Sequence, residues 1–137
     1  MEERVKLALE KRGQGYNCAQ AVLCAYSDLL DVDEEMLFAV SEGFGGGMGG
    51  MMGTCGAVTS MYMAAGLVHS GKDLQACSTK PATNKLVREL AAEFMEKNRS
   101  VICRELKGVD TGTPIRSCEG CIEDAVRIIG KKLFGEE

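Results

Sequence analysis

Seven cysteines in a chain of 137 residues are the side chains whose chemistry exceeds packing; the only other candidate is a single histidine. Three of the thiols share one local arrangement. Asn17-Cys18, Thr54-Cys55 and Ser117-Cys118 each set a helix-capping residue directly before a cysteine. Cys103 stands three residues after a fourth capping candidate, Ser100. A helix N-terminus carries about half a positive charge and unsatisfied N–H groups, so it favours thiolate over thiol and lowers cysteine pKa values to about 3.5–7.5. Thiolate is the form that attacks disulfides and binds metals. Cys118-Glu-Gly-Cys121 adds a Cys-x-x-Cys pair, a spacing that suits a closable disulfide or two ligands of one metal. Cys24 and Cys77 follow no capping residue, and read as core packing and as a loop thiol respectively.

Three chemistries fit these thiols. In thiol/disulfide exchange, Cys55 is the attacking thiolate and Cys18, Cys103 or Cys118 resolves the intermediate. In electron transfer, Cys18, Cys55, Cys103 and Cys118 hold an iron–sulfur cluster, with Cys121 as a substitute ligand. In the third, the chain is a non-enzymatic module that binds a partner such as a metallochaperone, and the thiols are dispensable. A structural zinc site lacks the second Cys-x-x-Cys or the histidine pair it needs.

Cys55 is delivered by the run Gly43-Phe-Gly-Gly-Gly-Met-Gly-Gly-Met-Met-Gly-Thr-Cys-Gly56, in which eight of fourteen residues are glycine. Ordering such a run is expensive in backbone entropy, which implies close backbone approach or positive φ. Gly45-x-Gly47-x-x-Gly50 matches the dinucleotide fingerprint in letters, but helical periodicity precedes it and no βαβ unit surrounds it. The run is expected to act as a functional loop. Gly45, Gly46, Gly47, Gly49, Gly50 and Gly53 supply backbone N–H groups and room for a substrate or cofactor. Met48, Met51, Met52, Met61 and Met63 near Cys55 read as packing rather than soft-metal ligands, and His69 as a helix-end residue rather than a general base.

The elements that must position these groups are helices. Val5, Ala8 and Leu9 mark a short amphipathic first helix closed by Gly13 and Gly15. Asn17 and Gln20 form a capping box before a largely buried helix over about 18–30. Asp33 caps a third helix with Met36, Leu37, Val40 and Phe44 on one side. Thr54 caps a central helix over about 55–68, almost wholly small or apolar. The segment 70–80 is loop with a turn near 74–77, and Pro81 opens a helix with Leu86, Val87, Leu90, Ala91 and Phe94 on one face, ending near Asn98. Ser100 caps a short helix holding Cys103, and 109–116 is loop. Ser117 caps the last helix, whose buried face is Ile122, Ala125, Val126, Ile129 and Leu133. The fold expected is all-α, a single-domain compact bundle of about five to seven helices over 1–137, with the glycine-rich loop entering a central apolar helix.

Composition agrees. Hydrophobic residues at 45%, charged residues at 26% and aromatics at 5% are the values of a globular domain packed with small aliphatic side chains. Net charge is −4 and the basic residues are scattered, so a nucleic-acid partner has no electrostatic support. No apolar run approaches the ~18 residues of a membrane span, and the N-terminus lacks a signal-peptide layout, so a cytoplasmic protein is expected. In a reducing cytosol, seven thiols point to redox or metal chemistry rather than structural disulfides. The apolar segment 58–68 is a candidate homodimer interface.

Several stretches together resemble one family. They are Gly15-Tyr-Asn-Cys18-Ala-Gln-Ala-Val22, Phe44-Gly-Gly-Gly-Met48 leading to Cys55-Gly-Ala57, Cys103-Arg-Glu-Leu106 with Gly108, and Cys118 ahead of Asp124-Ala-Val126. The resemblance is to the C_GCAxxG_C_C family, named for its cysteine pattern and described as redox-active. It implies a small, mainly helical protein, often linked to transporters, with Cys18, Cys55, Cys103 and Cys118 as the family cysteines. This chain departs from the pattern in having Ser60 where the motif's closing glycine is expected, and in adding Cys24, Cys77 and Cys121, the last an alternative partner for Cys118.

Overall fold

The computed structural model describes residues 1–136. Among them there is no strand, only an isolated antiparallel bridge between Thr54 and Ile102. In order the elements are α1 (Glu2–Gly13), α2 (Cys18–Cys24), α3 (Ser27–Leu30), α4 (Glu34–Ser41), a 3-10 turn (Glu42–Phe44), the single turn α5 (Gly45–Met48), α6 (Gly56–His69), α7 (Lys80–Asn98), α8 (Cys103–Leu106) and α9 (Cys118–Phe134). The chain is an all-α bundle, as its periodicity predicts.

α6 is the axis of the bundle because it has almost no polar side chain to present to water. It packs against α2, α7 and α9, and buries Gly56, Ala57, Val58, Thr59, Ser60, Met61, Ala64 and Ala65. The amphipathic helices supply the other walls. α7 buries Leu90 and Phe94, and α9 buries Ile122, Ala125, Val126 and Ile129. α1 lays Val5 and Ala8 against α2 and α9.

The structure differs from the sequence reading in three places that bear on the site. The helix expected over 18–30 breaks after Cys24. The Ala25 carbonyl turns outward to accept from Arg4 Nη1 at 2.6 Å, and Tyr26 swings into the core to donate its hydroxyl to the Val126 carbonyl at 2.6 Å. In α4, Leu37 and Ser41 are buried, but Met36 and Val40 face outward, 58% and 50% exposed, because α2 covers the opposite side of this helix. Of the segment 58–68, the candidate dimer face, much is buried in the core of its own chain, with Tyr62, Met63 and Leu67 half-buried and Val68 exposed. Among the described residues no helix is long and apolar enough to cross a membrane.

A five-cysteine cavity as candidate functional site

Two helix starts form as their capping residues dictate. At α2 the Asn17 side chain accepts from Gln20 N at 2.9 Å and Gln20 Oε1 accepts from Asn17 N at 3.0 Å, the reciprocal pair of a capping box. Cys18 is the first residue of the helix. At α9 the Ser117 hydroxyl accepts from Gly120 N at 3.0 Å, so Cys118 opens the helix and Cys121 lies one turn on.

The other two starts are built differently from the sequence reading. Thr54 does not cap α6. It is held in the bridge with Ile102, and the Cys55 N–H donates to the Val101 carbonyl at 2.7 Å, so extended backbone runs through Cys55 and the helix begins at Gly56. Cys55 is itself the cap residue, though its side chain makes no capping hydrogen bond. Ser100 does not cap α8 either. Its hydroxyl accepts from Ile102 N at 3.0 Å and donates to Glu105, Ile102 takes the cap position, and Cys103 becomes the first helical residue.

The glycine run takes the conformation its composition allows. Gly46, Gly47, Met48 and Gly49 have φ of 63°, 60°, 66° and 85°, a left-handed turn closed by Gly49 N donating to the Gly45 carbonyl at 3.0 Å. An L-residue pays roughly 1–2 kcal/mol in that region, and Met48 and, two residues past the turn, Met51 at φ 62° are the side chains of the run that do so. The loop is tied to the start of α8, because Cys103 N donates to Gly53 O at 3.0 Å and Arg104 N to Met51 O at 2.9 Å. A Cβ on Gly47 would strike Cys103 Cβ, and one on Gly45 would strike the Asn17 side chain.

These bonds occupy part of the loop. The N–H groups of Gly49, Met51 and Gly53 donate to carbonyls of the loop itself, so they are not free to cradle a ligand. Of the six glycines put forward, Gly46 alone lines the cavity described next. Gly45, Gly47 and Gly53 give close packing, and Gly49 and Gly50 lie on the exposed outer side.

The five thiols at these helix starts line one cavity of about 20 Å³: Cys18, Cys55, Cys103, Cys118 and Cys121. Lys107, Arg116 and Leu106 complete the wall with Gly46. Cys55, Cys103 and Cys121 are buried, Cys18 and Cys118 half-exposed, and all are free. Gly56 permits the close crossing of α6 over α2, since a Cβ there would come within 2.6 Å of Cys18 Sγ and 2.8 Å of the Phe44 carbonyl. Ser60, buried one turn on, donates its hydroxyl to the Ala19 carbonyl at 2.7 Å. The residue that departs from the family pattern therefore still permits the close crossing and adds a tie between the two helices.

Charge is distributed unevenly among the thiols. A hydrogen bond from Cys121 lowers the Cys55 pKa to about 7 against the effect of burial, helped by the N–H groups of Ala57 and Val58 and by the Lys107 charge. The same bond, with burial and the nearby Cys55, pushes Cys121 far up, so Cys121 keeps its proton. Burial also raises Cys103. Burial opposes the charge on Lys107, but Cys118, Cys103 and Cys18 beside it outweigh that and keep it protonated.

Arg116 is fixed by a buried carboxylate. Its Nε and Nη2 donate to Asp124 at 3.0 and 3.1 Å, and Asp124 also accepts from Lys97 at 2.6 Å and Asn98 at 3.0 Å. Burial works against this carboxylate, and the four hydrogen bonds overcome it and hold its pKa below the usual range. The Arg116 guanidinium lies across Gly120, where a Cβ would collide with it, so the glycine of Cys118-Glu-Gly-Cys121 is a packing requirement.

Lys107 and Arg116 escaped the sequence reading. Lys107 was legible in principle, four residues after Cys103 and so one helical turn along, whereas Arg116 depends on a fold-level pairing with Asp124. Cys24 and Cys77 stand apart from the cavity. Cys24 is buried and pushed up to about 11 by that burial and by Glu34, and Cys77 is exposed in the loop after α6. The methionines do not line the cavity, and His69 ends α6.

An iron–sulfur cluster asks for several thiolates converging on one centre. Among the described residues no three His, Cys, Asp or Glu side chains are disposed to hold one metal ion, and about 20 Å³ leaves no room for a cluster between the thiols. The cysteines as arranged do not fit that cofactor.

A family model described as "Putative redox-active protein (C_GCAxxG_C_C)" matches residues 16–132, and thus spans all five cavity cysteines. No curated protein and no solved structure gives a significant match. With a match that covers most of the chain, the chain belongs to the C_GCAxxG_C_C family.

Proposed function

We propose that the protein is a thiol oxidoreductase that cycles between dithiol and disulfide at this cavity, with Cys55 as the nucleophilic thiolate and Cys121 as the resolving thiol. The observation that carries the reading is the meeting of Cys55 and Cys121, both free and buried, in one cavity of about 20 Å³, with opposite tendencies: Cys55 shifted toward thiolate and Cys121 toward the protonated thiol. The Cys55 sulfur attacks an oxidant and gives up two electrons. Cys121 then attacks the oxidised Cys55 sulfur, forms the Cys55–Cys121 disulfide and expels the reduced leaving group. A dithiol reductant reverses the cycle by exchange through Cys18 or Cys118, the half-exposed members of the set. Sequence alone offered Cys18, Cys103 and Cys118 as resolving thiols; the opposite shifts of the two buried thiols that share the cavity support Cys121 as a further choice.

Peptide mapping by mass spectrometry across a redox titration tests this. The expected result is one reversible disulfide joining the Cys55 and Cys121 peptides, with Cys24 and Cys77 reduced. A titration in which Cys55 enters no disulfide removes the proposal. Iron and sulfide assays on anaerobically prepared protein run beside it, and stoichiometric iron with sulfide would favour cluster-based electron transfer instead.

A further inference from the structure

We infer that the oxidant consumed at this cavity is a small hydroperoxide, with hydrogen peroxide as its simplest member. The inference rests on the dithiol reading above and names its substrate class. Three features carry it: the size of the cavity, the burial of Cys55, and the donors around it.

Cys55 is 7% exposed, and the space beside its sulfur is about 20 Å³. A water molecule needs roughly 10–15 Å³ of such space, so the cavity admits a species of one or two heavy atoms. A disulfide with its flanking carbons does not reach Cys55 without opening the loop. A peroxide does, being two oxygens long. The donors suit the same species. The N–H groups of Ala57 and Val58 favour the Cys55 thiolate, and the Lys107 ammonium stands among the thiols with no carboxylate partner among the described ion pairs.

The chemistry balances with the groups present. The Cys55 thiolate attacks one peroxide oxygen; the S–O bond forms as the O–O bond breaks, sulfur loses two electrons and the peroxide gains them. The departing hydroxide takes the Cys121 proton and leaves as water. Cys55 is now a neutral sulfenic acid, so the charge that held the proton on Cys121 is gone. The Cys121 sulfur attacks Cys55, the S–S bond forms, the S–O bond breaks, and the second hydroxide is protonated by Lys107 or solvent. An external dithiol restores the reduced pair.

The exposed Cys77 of the same chain is an internal reference thiol. Reduced full-length protein is mixed in parallel with substoichiometric hydrogen peroxide and with oxidised glutathione, and each cysteine is followed by mass spectrometry with dimedone present. Peroxide is expected to oxidise Cys55 at least about tenfold faster than Cys77, because a thiolate supplied with donors outruns an ordinary thiol. It should yield the Cys55–Cys121 disulfide in the natural chain and a dimedone adduct on Cys55 in Cys121→Ser. If glutathione disulfide oxidises Cys55 while peroxide does so no faster than Cys77, the peroxide assignment falls and the dithiol reading stands. If neither reagent oxidises Cys55, both fall.

Discussion

A buried thiolate needs donors aimed at it, because burial by itself favours the neutral thiol. At Cys55 the Cys121 thiol comes first, the N–H groups of Ala57 and Val58 follow, and Lys107 adds a weaker field. The groups facing this sulfur across the cavity are Cys121, Cys118 and Arg116 from α9 and its approach, Cys103 and Lys107 from α8, and Cys18 from α2. The sign follows from the direction of the shift. A lowered thiol pKa leaves Cys55 ionised above about 7, so its alkylation by a small reagent rises through that pH. Removing the leading donor in Cys121→Ala moves the midpoint toward the ordinary thiol value near 8.5, and Lys107→Met moves it less. The measurement is the Cys55 alkylation rate against pH by mass spectrometry, with circular dichroism to verify folding. A folded Cys121→Ala protein with an unchanged midpoint would show that Cys121 does not tune Cys55.

The elements set how tightly the thiols are held, and the glycine loop separates two causes that its composition merges. Gly47 and Gly49 both have positive φ, at 60° and 85°, but a Cβ on Gly47 collides with Cys103 and one on Gly49 meets nothing within 4 Å. Gly49→Ala therefore carries only the backbone penalty, about 1–2 kcal/mol. Gly47→Ala adds overpacking of about 1–3 kcal/mol, for a total of about 2–5 kcal/mol. Urea midpoints at unchanged slope give the comparison, and equal losses at the two positions would mean that the loop does not press on α8. That the run needs positive φ and close approach was legible in its eight glycines. Which contacts it makes was not, since those arise from Cys103 and Asn17 in distant segments. The caps divide in the same way. Asn17 with Gln20, and Ser117, act as their local sequence predicts, whereas Thr54 and Ser100 are diverted by long-range backbone pairing with Ile102 and by Glu105.

At the scale of the whole molecule the site exists because α6 crosses α2 and α9 with its N-terminal end at their first turns. Helix-start cysteines were readable one at a time; their convergence depends on Gly56 fitting against Cys18 and Ala19, which local pattern does not contain. Cys121 shows the difference most clearly. Its Cys-x-x-Cys spacing pointed only to Cys118; in the fold it is buried and lines the cavity with Cys55 as well as with Cys118. A Cys55–Cys121 disulfide would close a loop of roughly half the chain, joining the start of the central helix to the last. Loop closure of that length removes unfolded-state entropy equivalent to at most about 4 kcal/mol, reduced by any strain in the folded state. The oxidised protein is therefore expected to melt up to roughly 14 °C above the reduced protein. Calorimetry on both forms checks this, with Cys121→Ser as the control whose melting point is the same after either treatment. Equal melting points for the two forms of the natural chain, with the disulfide verified by mass, would mean that forming the bond strains the helix starts by as much as the cross-link stabilises them, and that the cavity is shaped for the dithiol.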